Sequence, residues 1–445
     1  MEKRKKLYQL AGPIFIEVLL FMLLGIADIF MLSQFDDRAA GAVGAANQII
    51  ANLNLVFAII SAGTAVLVAQ NIGARRTQEV EKISAISLIV NLLIGLIISI
   101  SMIFAGEYIL TKMGVTSDLM KYASEYIEIV GGVLFFQALL SPLIAIIRSH
   151  GYAKQGMMIT VAMNVINILG DAIFIFGLFG APILGVKGVA IATTFSRIVA
   201  TVAAFIFLFK KLLPVTIFSH LKEKPMKVLK KLFKVGFPAA MENMSYNVSQ
   251  TVIMSIILIN LGELPYITRT YVWTIGWSVM LFSIAIGQAS QIMIGQLVGA
   301  NQIDAAYKTG INNLKISMLI TTLGSIVIFF FGSFFMSLYT DNPKIILLGS
   351  SILMIDAFLE PGRNFNVVLI NSLRGTGDVI FPVVMAIISM WGVAVLGGYF
   401  FGVVLGYGLP GIWVGLALDE WIRGICMLLR WRSRKWTKKV MVHSN

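Results

Sequence analysis

Asp171 is preceded by Asn167 at i−4 and by Asn164 at i−7, so all three share one face of any helix formed by the apolar stretch 157–180. Asp28 follows Pro13 by about four helical turns in the first apolar stretch. Thr193, Thr194 and Arg197 fall at comparable depth in the sixth. Two carboxyl groups held together away from water share a proton readily, which suits protonation on one side of a membrane and release on the other. The bland alternative is a static Asp–Asn–Arg hydrogen-bond network. A second set of charges lies in the other half of the chain. Glu242 follows Pro238 and opens the polar run Asn243, Ser245, Tyr246, Asn247, Ser249 and Gln250, which must line an interior. Asp356, Glu360 and Arg363 occupy the tenth apolar stretch, and Asp419, Glu420 and Arg423 the twelfth. Pro361 and Gly362 are expected to interrupt their helix at mid-depth, as at many transport sites. Against that, Glu360 with Arg363 and Glu420 with Arg423 are spaced i, i+3, which suits ion pairs that neutralise each other. Both readings stand.

The elements that must position these groups are membrane helices. The 445 residues are 58% hydrophobic and 13% charged, against about 25% charged in soluble domains, so lipid is the solvent. Twelve apolar stretches, each long enough to cross a hydrocarbon core of about 30 Å, lie near 8–33, 45–71, 83–111, 120–147, 157–180, 186–210, 232–260, 266–298, 310–339, 345–372, 379–405 and 410–430. The expected architecture is all-α, with twelve transmembrane helices. Lys3, Arg4, Lys5 and Lys6 precede an apolar run without a small-residue cleavage site, which reads as an uncleaved first helix rather than a signal peptide. With both termini inside, 26 of the 35 basic residues fall on the cytoplasmic side. The outer side holds Arg38, Lys112, Lys121, Lys187, Arg269 and Lys344. That one-sidedness, rather than nucleic acid, accounts for the net charge of +13. Cys426 has no partner cysteine, and His150, His220 and His443 lack metal-ligand spacing.

The chain is duplicated. Gln70, Gly73 and Ala74 return as Gln296, Gly299 and Ala300, and Arg148 and Gly151 as Arg374 and Gly377, all offset by 226. Pro13 and Glu17 return as Pro238 and Glu242 at 225, and Gly185 and Gly188 as Gly408 and Gly411 at 223. Six spans per copy give two six-helix lobes related by a pseudo-two-fold axis along the membrane normal. The lobes are expected at 1–211 and 232–430, with a cytoplasmic linker at 212–231 and a basic tail at 431–445. The halves differ in chemistry, because Ile253 stands where the first copy has Asp28. The linker's lysines and apolar residues suit a segment lying on anionic headgroups. Gly406, Gly408 and Gly411 match a dinucleotide fingerprint by letter, but without a βαβ unit they read as a turn between spans. Asn247-Val248-Ser249 sits inside a span, out of reach of glycosylation.

These residues resemble the multidrug and toxic compound extrusion (MATE) family over essentially the whole chain. The likeness rests on Gly12-Pro13 with Asp28, QNIGA and GQLVGA, NILGDAIFIFG, GVKGVAIATTFSR, FPAAMEN, EPGRNFNVVLINSLRGTGD and DEWIRG. The last three look like the DinF branch. The resemblance implies an antiporter that exports organic, often cationic or aromatic, compounds through a V-shaped two-lobed cavity in exchange for H⁺ or Na⁺. It implies a coupling-cation site at Asp28, Asn167 and Asp171, and a bend of the first helix at Pro13. It implies no cofactor beyond the coupling ion. Candidate cavity or switch residues are Pro13, Glu17, Asn164, Thr193, Thr194, Arg197, Glu242, Glu360 and Arg363. One departure is the inner loop RSHGYAKQG, where the family's acidic Gly-Asp pair survives only in the second copy, as Gly377-Asp378. Expected partners are small organic substrates and membrane lipid, for a monomer in a bacterial inner membrane. Rival readings are a lipid-linked oligosaccharide or lipid flippase, which would need a more basic cavity, and a non-transporting receptor or scaffold. A major-facilitator transporter would carry a Gly-x-x-x-Asp-Arg loop that GARRTQEVEK lacks. No clustered acids support a membrane enzyme.

Overall fold

The computed structural model of the chain describes residues 2–223 and 225–442, so His443 lies outside the described residues. In lipid an apolar run can satisfy its backbone only within itself or in a closed barrel. Among the described residues the chain forms helices and no β-strand. They are α1 (Glu2–Phe35), α2 (Asp37–Gly73), α3 (Thr77–Lys112), α4 (Ser117–Tyr126), α5 (Leu134–Ser149), α6 (Ala153–Phe176), α7 (Val186–Lys211), α8 (Pro225–Leu261), α9 (Glu263–Gly299), α10 (Ile303–Ser337), α11 (Pro343–Thr376), α12 (Ile380–Ser389), α13 (Leu396–Tyr399) and α14 (Gly408–Arg432). Wide π-turns at Ile127–Gly131, Met390–Val395 and Phe400–Val404 join the short pieces. The protein is an all-helical, multi-pass membrane protein.

Among the described residues, ten helical segments are long and apolar enough to cross a bilayer, or eleven if α4 and α5, bent by 50°, make one span. Twelve were expected. The segment that fails on composition is α14, whose 25 residues include Asp419, Glu420 and Arg423. Those charges are buried against other protein groups, so an average over hydropathy undervalues the helix. The expected break at Pro361 and Gly362 is also absent. α11 runs without interruption from Pro343 to Thr376, and only the hydrogen bond from position 361 to Ala357 is lost to the proline. Gly362 serves packing instead, since a Cβ there would lie 2.8 Å from the Trp421 ring. The lysine-rich segment after Pro225 is the beginning of α8, continuous with its apolar part.

The chain divides into two compact units. One comprises Gly12–Ile72 and Arg76–Phe237; the other comprises Pro238–Asn445 with Met1–Ala11 and Gly73–Arg75. In the first, α6 packs on α7, and α3 and α7 pack on α5. Its core joins Leu32, Ala39, Val43, Ala46 and Ile50 to Tyr126, Val130, Val186 and Val189. A 3₁₀ segment, Val215–Lys222, lies on α3. In the second, α11 is central and touches α9, α10 and α14, around Ile253, Val272, Leu353, Leu359 and Trp413. Because lipid is as apolar as leucine, such contacts depend on close packing rather than on exclusion of water. Gly411 and Gly415 show this: a Cβ there would sit 2.6 Å from the Phe401 backbone or 2.5 Å from that of Gly398. The chain then folds back, stacking Trp436 on Trp431 at 4.7 Å and donating from its Nε1 to the Trp431 carbonyl at 2.9 Å.

Candidate functional site

In the first unit, α6 ends where Gly177 takes a left-handed conformation at φ 67°, and α7 begins at Val186, so the two helices run antiparallel side by side. That arrangement sets the polar face of α6 against the first turns of α7. Asn167 Nδ2 lies 3.3 and 3.2 Å from the two carboxyl oxygens of Asp171, and 3.3 Å from Thr193 Oγ1. Asp171 is completely buried, and Asn164, Asn167 and Thr193 nearly so. Asp28 reaches in from α1, with its carboxyl close enough to that of Asp171 for one to hydrogen-bond the other. Arg197 stands within electrostatic reach of Asp28 and of Tyr126.

Two ionised carboxylates are acceptors only, so they face each other stably when a proton or another cation lies between them. The carboxyl oxygens of Asp28 and Asp171 and the Thr193 hydroxyl gather hard oxygen donors in one place, with Asn167 tying Asp171 to Thr193 through its Nδ2. Asp28, Asn167, Asp171, Thr193 and Arg197 therefore come together. Asn164 and Thr194 lie close by along the same helices, but Asn164 Oδ1 and Thr194 Oγ1 make no hydrogen bond with another described group. Tyr126 belongs to this neighbourhood and was not foreseen. It comes from α4, and nothing in its local sequence distinguishes it from a core tyrosine.

Glu17 is placed apart from this site, where it forms an ion pair with Arg148 at the end of α5. Glu242 pairs with Arg374 at 2.8 Å near the end of α11. Since Glu17 and Glu242 are repeat partners, as are Arg148 and Arg374, the same bond occurs once in each copy. Pro13 lies within α1, one turn before Glu17.

The second unit holds a continuous charged chain. Arg363 pairs with Glu360 on its own helix and lies 3.4 Å from Glu420 on α14. Arg423 reaches Glu420 at 3.0 Å and Asp419 at 2.5 Å. Asn366 donates to Glu420 at 2.9 Å, and Trp413 to Asp356 at 2.9 Å. The two i, i+3 pairs form, and Arg363 links them across helices. Arg269, read from sequence only as an outer-side charge, is buried in α9, donating to Gln250 at 2.9 Å and standing over Trp273 at 5.2 Å. A position seven residues into a helix looks like an outer end in sequence. Only the placement of α8 beside it reveals the buried partner.

The model of the MatE family matches residues 13–173 and 238–400. An uncharacterized transporter, YisQ, of Bacillus subtilis (strain 168) is 41% identical over 440 residues, covering 99% of this chain and 96% of its own. A probable multidrug resistance protein, NorM, of Thermotoga maritima is 26% identical over 442 residues, covering 99% and 95%. Among solved structures, a MATE in the bent conformation superposes with a TM-score of 0.91 at 23% identity, covering 99% of this chain and 97% of that one. A MOP superfamily transporter from Pyrococcus furiosus, described with a binding pocket of reverse polarity, gives 0.86 at 22% identity, covering 98% and 97%.

Proposed function

Because the chain belongs to the MatE family of membrane transporters, we propose that it is a secondary antiporter that exports organic, cationic or aromatic compounds in exchange for H⁺ or Na⁺. The single observation that carries this reading is the buried approach of Asp28 to Asp171, supported by Asn167 and Thr193. Such a pair changes its charge when it takes up a cation, and a charge change can favour one conformation over another. A cation arriving from outside neutralises the pair, reshapes the first unit and lowers its affinity for cargo. The cargo is released as the ion binds. The names of several relatives as multidrug resistance proteins support organic compounds as the cargo class. A twelfth span in α14, a two-fold relation between the halves, cytoplasmic termini, a bacterial inner-membrane location and a monomeric state complete the reading. Placement in the DinF branch rests on the sequences of α8, α11 and α14.

The test is efflux of a fluorescent organic cation from proteoliposomes under H⁺ and Na⁺ gradients imposed separately, comparing wild type with Asp28→Asn and Asp171→Asn. Flux driven by one gradient and lost in either variant is expected, and identifies the ion. No gradient-driven flux in correctly oriented wild type would overturn antiport in favour of a lipid or sugar carrier. Undiminished flux in both variants would remove the pair from the mechanism.

A further inference from the structure

At the linker end of the first unit, the start of α6 and the end of α7 enclose an open groove of about 440 Å³. Its walls are apolar, with Met158, Ile206 and Phe207 prominent, and its rim carries Gln155, Lys210 and Lys211. Met158 and Ile206 are exposed, as are both lysines. At about 1.5 Å per residue, Ala203 lies about 10 Å farther along α7 from its basic end than Lys210, so with Lys210 and Lys211 at headgroup level, as the charge distribution predicts, the groove would reach into the hydrocarbon.

The second copy is built differently at the corresponding place. There Arg430 lies over the Phe381 ring at 4.7 Å and pairs with Asp378 at 2.7 Å. Arg434 pairs with Asp304 at 2.6 Å. At the offsets of 226 and 223 that relate these helices, Asp378, Phe381 and Arg430 correspond to Tyr152, Gln155 and Phe207, and Arg434 and Asp304 to Lys211 and Gln78. The first copy thus has neither acid at these positions. Tyr152 meets Phe207 edge-on at 5.5 Å, leaving an apolar wall, and neither Lys210 nor Lys211 has an acidic partner among the described residues. An apolar groove continuous with the hydrocarbon, rimmed by two unneutralised ammonium groups and an amide, is complementary to an amphiphile with an anionic head.

We propose that this groove binds one anionic phospholipid from the leaflet beside the linker, with its phosphate on Lys210, Lys211 and Gln155 and an acyl chain along Met158, Ile206 and Phe207. The site lies apart from Asp28 and Asp171 and does not depend on the ion or the cargo.

The experiment uses the full chain in nanodiscs containing a phosphatidylglycerol with a diazirine on its acyl chain, with adducts mapped by peptide mass spectrometry. Adducts are expected on the peptides carrying Met158 and Phe207. Unlabelled phosphatidylglycerol should compete and phosphatidylcholine should not. Lys210→Gln with Lys211→Gln should lower this labelling on the order of tenfold, whereas Lys227→Gln with Lys230→Gln, which removes equal charge from α8, should leave it intact. Ala203→Trp, which fills the groove and keeps both lysines, should abolish it. Equal competition by phosphatidylcholine, labelling that survives either groove variant, or an equal loss in the α8 variant would overturn the proposal. If the double lysine variant does not fold, Ala203→Trp decides.

Discussion

Asn167 donates to both Asp171 and Thr193 from one nitrogen, so it sets the geometry of the acidic pair more than either neighbour does. Hydrogen bonds to a charged group contribute about 1.5–3 kcal/mol. Asn167→Leu should therefore weaken the apparent affinity for the coupling ion by about 10- to 100-fold, and Thr193→Val by less, as read from the ion dependence of flux. The reverse order would remove Asn167 from its central place. Another residue-scale prediction concerns His220 on the 3₁₀ segment. Its Nδ1 lies 3.1 Å from Glu223 and its Nε2 3.2 Å from Glu81, with Glu79 and Lys82 also presented by α3. The bond to Glu223 chiefly, and that to Glu81, hold its pKa above the ordinary 6.5, with partial desolvation opposing them. The same bond, with help from Lys82, holds the Glu223 carboxyl below the ordinary 4.5. A group whose folded pKa is raised stabilises fully below its unfolded value and ceases to do so as pH rises through the folded one. A nitroxide at Ser219 should accordingly become more mobile as pH rises from about 6.5, and His220→Gln should remove that dependence. Asp28, Asp171 and Asn167 were legible as polar residues in apolar stretches. Tyr126 and Arg269 were not, because their partners come from other helices.

The helices were legible at their centres and less so at their ends and interruptions. Apolar length located α3, α9 and α10, whereas Pro361 and Gly362 looked like a break because sequence cannot show that Trp421 fills the space above Gly362. Repeat spacing singled out Glu17, Arg148, Glu242 and Arg374, but their pairing emerges only when the first and fourth helical segments of each copy are side by side. Removing one member of a largely buried pair strands the other's charge, which costs about 3 kcal/mol or more. Glu242→Gln should lower thermal stability accordingly, and Glu242→Arg with Arg374→Glu should restore most of it. Failure of the swap to recover any stability would show that the bond is not what the helices need. Where α14 meets Gly398 through Gly415, backbone rather than a movable side chain is the neighbour. Gly415→Val should destabilise by about 3 kcal/mol, while Gly392→Ala, which has open space, should stay within about 1 kcal/mol of wild type.

Across the whole molecule, duplication gives two units of similar plan whose buried charges are arranged differently. The first sets the half-buried Asp28 against the buried Asp171 near one arginine, whereas the second ties Glu360, Arg363, Glu420, Arg423 and Asp419 into one chain of ion pairs. If coupling lies in the first unit, replacing Glu360 by Leu together with Arg363 by Met should preserve the identity of the driving ion, because Glu420, which loses Arg363, keeps Arg423 and Asn366. A change of driving ion in that variant would move coupling to the second unit. The duplication was plain in sequence; the difference in side chains between the copies was visible only in single positions such as Ile253. The C-terminal return adds something of a different kind. Trp431 and Trp436, stacked at 4.7 Å with their planes 15° apart and both fully buried, form an exciton-coupled chromophore pair. A near-ultraviolet circular dichroism signal from this pair, expected in wild type and lost in Trp436→Leu, would report docking of the C-terminal return without any label. It also sets a boundary for protein engineering, since a fluorescent fusion joined before Trp436 would remove the aromatic lid that closes the end of α14.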